Sequence, residues 1–335
     1  MGTLVGHVAP GFGFLLIGLW HLYNHIKLHA LHPDSYRAPP WFPTSKPTKY
    51  AELILIMAGC SASVAMELFI GPERHQPFDP DGTIPSNHLH NFEHSSISFT
   101  FFVYALFAIL LDRAATSSRD RVSSAVPHVS AKARDGMTQL LGAVAFAQQL
   151  LLFHLHSADH MGPEGQYHLL LQLVILVSLT TTLIGIALPK SFLVSFVRSL
   201  SICFQGVWLM VMGFVLWTPR LIPKGCFMHS EEGHLVVRCA GEESLHRAKS
   251  LINLQFSWFL IGIAIFGVSL YLALVKIYGQ NVEYFSLGLK EEEEEGGEED
   301  SYDVESQKKS KGTIGNSGTF VGMGKSGLGP IDMER

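Results

Sequence analysis

LLLQLVILVSLTTTLIGIAL, residues 169–188, carries no charged side chain anywhere along its length. A helix needs about 20 mostly apolar residues to cross the hydrocarbon of a bilayer. This stretch is long enough, and Pro189 stops it. LINLQFSWFLIGIAIFGVSLYLAL, residues 251–274, reads the same way. Working outward from these two gives seven predicted spans: 4–26, 50–71, 88–111, 136–156, 166–188, 199–218 and 252–277. Pro33, Pro39, Pro40, Gly71-Pro72 and Gly162-Pro163 punctuate their ends. The predicted fold class is therefore all-α, a seven-transmembrane-helix bundle over 1–280, with a disordered acidic tail over 281–335.

Composition agrees. Of 335 residues only 16% are charged, against about 25% in a soluble domain. The net charge of −5 comes largely from KEEEEEGGEED near the C-terminus. No basic stripe with interleaved aromatics occurs, which argues against nucleic acid as a partner and leaves membrane lipids. The tail also contains FVGMGKSG, but a phosphate loop would need glycine at Thr319 and a strand and helix around it. The first span is expected to act as a signal anchor, with no cleavable leader.

Lys and Arg in short loops set orientation. Loop one holds Lys27, Arg37, Lys46 and Lys49; loop three holds Arg113, Arg119, Arg121, Lys132 and Arg134. Loop two has Arg74 alone and loop four has none. This predicts an amino terminus outside or in a lumen and a cytosolic carboxyl terminus. Loop six breaks the pattern with Arg220, Lys224, Arg238, Arg247 and Lys249. It also holds Cys226 and Cys239, which would pair in an oxidising compartment or stay as two free thiols.

Seventeen histidines are the chemical signal. With this topology, His7, Glu67, His88, His90, His94, His154, His156, Asp159, His160 and His168 all fall near the outer ends of five spans. An ionised residue in a span costs about 2.5–3.5 kcal/mol on the milder scales, so it turns inward and finds a partner. His90 and His94 share a helix face, as do His156 and His160. Three or four imidazoles plus a carboxylate suit zinc, or a non-haem iron or copper centre. The alternatives are a proton-linked hydrogen-bond network and an incidental polar rim. His21, His25 and His29 lie at the other end of the first span beside Lys27 and are read as interfacial. His75, His88 and His90 are read as facing water or headgroups.

Several stretches resemble the transmembrane protein 45 family, a family of unknown function, over roughly residues 3–280. They are GHVAPGFGFLLIGLWH, the glutamate of AMELFIGP, NFEHS, HLHS, His168 and FQGVWLMVMGFVLW with Gln205 and Trp208. The wording HSADHMGPEGQYH and the tail are closer to plant members. The resemblance implies a seven-span membrane protein and maps its recurrent positions onto His7, Glu67, His94, His154, His156, His168 and Gln205. It does not secure Asp159 or His160. Animal members place a histidine after the tryptophan of the last span, where this chain has Phe259 after Trp258.

Three functions follow as expectations. The first is a zinc- or iron-dependent enzyme acting on a lipid, with His7, Glu67, His94, His154, His156 and His168 as metal ligands and Glu67 or Asp159 as catalytic carboxylate. The second is a metal-ion or proton transporter, using Gln148, Gln149, Gln172, Gln205 and Glu52 as a polar route. The third is a non-catalytic structural or trafficking protein whose polar cluster fixes helix packing.

Overall fold

The computed structural model describes residues 3–71, 76–120, 130–155, 162–231 and 234–295. Seven helices follow one another: α1 (Leu4–Leu31), α2 (Ala51–Ala65), α3 (Leu89–Asp120), α4 (Ala131–His154), α5 (Gly162–Ala187), α6 (Phe192–Trp217) and α7 (Glu242–Glu295). Each is long and apolar enough to cross a membrane, α2 as part of the longer helical span Lys46–Ile70, as the sequence predicts. A short antiparallel hairpin, β1 (Cys226–Glu231) and β2 (His234–Cys239), sits between α6 and α7. The chain begins α1, α3, α5 and α7 at one end of the bundle, here called the amino-terminal face. Thr3, Ser130 and Ser191 cap α1, α4 and α6 by accepting from backbone N–H groups three residues on.

α6 is the central helix. Two thirds (67%) of its apolar window is buried by protein, against 6% for α2 and 11% for α7. α1 packs against it most closely, and glycine is the reason. Gly11 and Gly18 of α1 face Gly206 and Cys203 of α6. A Cβ added at Gly206 would lie 2.4 Å from the Leu15 backbone nitrogen, and one at Gly18 would lie 2.5 Å from that of Cys203. Close approach through small residues is how membrane helices gain packing when lipid is as apolar as the side chains.

Around this seam lies a core of Trp208, Tyr167, Met212, Leu171 and Ile175. α7 is clipped to it by polar bonds near the amino-terminal face: Tyr167 Oη donates to Gln255 (2.6 Å) and Gln166 to Asn253 (2.7 Å). Its outer side exposes Trp258, Ile261, Ile265 and Leu272. Such a surface aggregates in water and is the right one in hydrocarbon.

The helices begin earlier than the hydropathy suggests at four places. α4, α5, α6 and α7 start at 131, 162, 192 and 242 rather than 136, 166, 199 and 252. Hydropathy drops where a polar residue appears, but the backbone ladder continues if that side chain turns inward. The consequence at α6 is large, because Arg198 becomes part of the helix and is buried. α7 runs to Glu295, into the stretch expected as tail. The rest of that tail, with His75, His128, His156, Asp159 and His160, lies outside the described residues.

Candidate functional site

Two polar centres lie in the bundle, one near each face; Glu67 and His94 of the first are half-buried. The sequence points to the first. α2 ends in a π-helical turn, Met66–Ile70, that carries Glu67; such turns recur at functional positions. Glu67 Oε2 accepts from Asn91 Nδ2 (2.8 Å), and Oε1 pairs with His94 Nδ1 (3.2 Å). His90 and His94 have ring centroids 6.3 Å apart. His88 and His90 are buried rather than turned to water or headgroups, which corrects the expectation for these two. The helix entry folds back on α2, so their spacing serves the interior.

His7 and His168 form the other half of this centre. Both are buried, with ring centroids 6.0 Å apart, and His7 stacks on Trp217 at 4.7 Å. His7 Nδ1 bonds to the Thr3 carbonyl (3.0 Å), which fixes that nitrogen as the donor and leaves Nε2 as the basic edge. His94 and Glu67 are near enough to act on His7 through space. Glu164, at the start of α5, is buried on the same side and feels the charge of His94. Sequence reasoning missed it because the fifth span was started after it.

His154 stands apart. It is exposed at the end of α4, and its Nδ1 bonds to Gln172 Oε1 (3.2 Å). Of the six proposed metal ligands, then, the structure pairs His7 with His168 and Glu67 with His94, and places His154 at the surface. Among the described residues no group of three or more His, Cys, Asp or Glu side chains is arranged to hold a metal ion.

The second centre lies at the opposite face and was read as interfacial. It is instead an enclosed polar group, with Glu52, His21, His25 and Arg198 all buried. Glu52, near the start of α2, is buried and accepts from three donors: His21 Nε2 (2.7 Å), Trp20 Nε1 (3.0 Å) and the Phe42 backbone N–H (2.9 Å). One turn along α1, His25 Nε2 accepts from Arg198 (3.4 Å). That makes Nδ1 its protonated nitrogen, bonded to Tyr36 Oη at 2.9 Å. Arg198 also donates to Gln139 Oε1 of α4 (2.6 Å). Burial holds the Tyr36 phenol above its ordinary range.

His7, Gly11, Gly18, His21 and His25 occupy one stripe of α1, turned to α6. The two centres are therefore the ends of a single seam. At a level between them on α6, but on a face turned from the Gly206 contact, Gln205 is fully buried with neither amide atom partnered. Ser178 and Ser201 bond each other at 2.9 Å in the same interior. On the amino-terminal face the hairpin joins Cys226 and Cys239, directly paired residues, in a disulfide.

A family model described as "Family of unknown function (DUF716)" matches residues 135–272, which span α4 to the greater part of α7. This agrees with the resemblance to the transmembrane protein 45 family.

Proposed function

We propose that this seven-span chain, matched by the DUF716 family model over α4 to α7, passes protons through the bundle interior beside the α1–α6 seam, exchanging them between the His7–His168 centre and the His21–Glu52 centre. Gln205 carries the reading. A fully buried amide with no partner at either end costs about 1–3 kcal/mol for each unmet group. Membrane proteins retain such groups where water or a moving proton meets them, and chains of His and acidic residues mark proton relays. His7 and Glu52 supply proton-accepting atoms at the two ends, and Arg198 sets a fixed positive charge beside the second. The bonded Cys226–Cys239 pair supports an exoplasmic amino-terminal face, since disulfides persist in oxidising compartments. The test is dye-reported proton flux into liposomes carrying the purified protein under a potassium diffusion potential. Flux above empty vesicles is expected, falling to their level in Gln205→Leu and Glu52→Gln. Equal flux with and without protein overturns the reading.

One observation favours a second reading, a zinc or iron centre at the amino-terminal face. His7, His94 and His154 each have Nδ1 engaged by an oxygen, the outer-shell bond that orients imidazoles ligating through Nε2. In this reading Glu67 orients His94 rather than binding metal. The described residues do not fit a complete site, so no lipid chemistry is derived through it. Elemental analysis of purified wild type and His7→Ala decides: stoichiometric metal lost in the variant supports this reading, and metal-free, folded protein ends it.

A further inference from the structure

Glu164 is a buried carboxyl that the proton path as described does not use. It sits in the first turn of α5, directly after Gly162 and Pro163, and is 7% exposed. Among the described residues nothing donates a hydrogen bond to it. That sets it apart from Glu52, which has three donors, and from Glu67, which has Asn91 and His94. A carboxylate taken out of water is costly unless a donor or a cation meets it. An unbonded one at the mouth of a bundle is retained where a mobile charge meets it.

Its neighbours say which charge. Glu164 and His168 are four residues apart, on one face of α5. His168 lies about 6 Å deeper along the helix, and its ring centroid is 6.0 Å from that of His7 on α1. His7 keeps Nε2 as its basic edge, because Nδ1 is engaged by the Thr3 carbonyl. The remaining charged groups on this side come from several elements. His94 of α3 and the chain's amino group act on Glu164 through space. Glu67 of α2 is bonded to His94. The Arg238 guanidinium of β2 lies 3.5 Å from where a Cβ at Gly162 would stand. α4 and α7 bring uncharged groups, Phe153 against His168 and Asn253 and Gln255 against α5. Imidazole is the group among these that both takes and gives a proton near neutral pH.

We propose that Glu164 is the entry group of the proton path at the amino-terminal face, loading His168 and through it His7. The carboxyl gives its proton to the His168 imidazole, which hands it to Nε2 of His7. A proton from the water outside then restores the carboxyl, so charge and protons balance at each step. This inference rests on the proton reading above.

Sealed vesicles of known sidedness carrying the purified full chain provide the test, with proton flux read while the pH on the amino-terminal side is varied. Glu164→Gln keeps the size of the side chain and replaces its proton-bearing oxygen by an amide nitrogen. Flux should fall by roughly a hundredfold and lose its dependence on that pH, and Glu164→Asp should restore part of both. A packing role would lower the unfolding midpoint and leave the pH dependence of the residual flux as in wild type. Infrared difference spectra, taken as the buffer on that side alone is made acidic or alkaline, give a readout independent of flux. Wild type should show a carboxyl C=O band that is missing in Glu164→Gln and present in Glu67→Gln. Flux in Glu164→Gln that matches wild type in size and pH dependence overturns the inference and leaves the path standing. If wild type carries no flux, the path fails and the infrared band decides Glu164 by itself. Its presence supports a carboxyl that exchanges protons with the amino-terminal side, and its absence overturns the inference.

Discussion

Glu52 is the residue on which the enclosed centre turns. Three donors converge on one carboxylate, and all of them are inside the protein. Glu52→Ala strands those donors together. Removing one partner of a buried pair costs about 3–5 kcal/mol, whereas the Glu67–His94 pair, with side chains 21% and 23% exposed, is screened and worth about 1 kcal/mol or less. Unfolding midpoints in detergent should therefore fall much further for Glu52→Ala than for Glu67→Ala, with Glu52→Gln between them. Equal midpoints would mean that the enclosed centre contributes no stability. Tyr36 adds a pH dependence whose sign is fixed. Its phenol titrates above the ordinary value of 10.0 in the folded protein because it is buried. The stability it contributes is complete below the unfolded value and is lost as pH rises through the folded one. Wild type should lose stability more steeply than Tyr36→Phe above about pH 10.

At the scale of elements, the α1–α6 pair is a packing of glycines. Gly206→Val places branched carbon against the Leu15 backbone and the Gly11 carbonyl, 2.4 and 2.6 Å from the new Cβ. Backbone cannot give way as a flexible side chain does, so the helices must part and the seam with them. Chemical unfolding should show a loss of several kcal/mol for Gly206→Val and almost none for Gly262→Ala, where added carbon meets open space. The number and order of the helices were legible because apolar length is a local property of sequence. Glu67 with His94, and His7 beside His168, were legible because each sits near a span end whose level topology fixes. The enclosed centre was not. Arg198 fell just before the expected start of the sixth span and His25 and His29 at the frayed end of the first, and hydropathy treats a charged residue as outside the membrane. Burial of Arg198 depends on Gln139 of α4 and His25 of α1, partners distant in sequence that no window sees. A stripe at 7, 11, 18, 21 and 25 was the available clue, because histidine and glycine share one helical face.

For the whole molecule, orientation decides what the seam connects. The proposed placing, an amino-terminal face away from the cytosol, rests on the hairpin disulfide and on the charges of loops one to four, while the five Lys and Arg of loop six run against it. Two exposed loop positions read it directly. Asp81, in the turn before α3, is exposed and belongs to the amino-terminal face; Ser45, before α2, is exposed at the opposite one. In intact cells with the protein at the surface, or in sealed vesicles of known sidedness, an impermeant maleimide should label Asp81→Cys from the exoplasmic side. Ser45→Cys should react only after permeabilisation. Cys60 and Cys203 lie within spans, and Cys203 is buried, so they provide little background. The reverse pattern would put the disulfide in a reducing compartment and turn the proposed proton path end for end. The seam would survive that result, because α1 and α6 meet through their glycines whichever way the bundle faces. The proposed direction of exchange would not survive it, since Glu52 and Arg198 would then lie toward the lumen and His7 toward the cytosol.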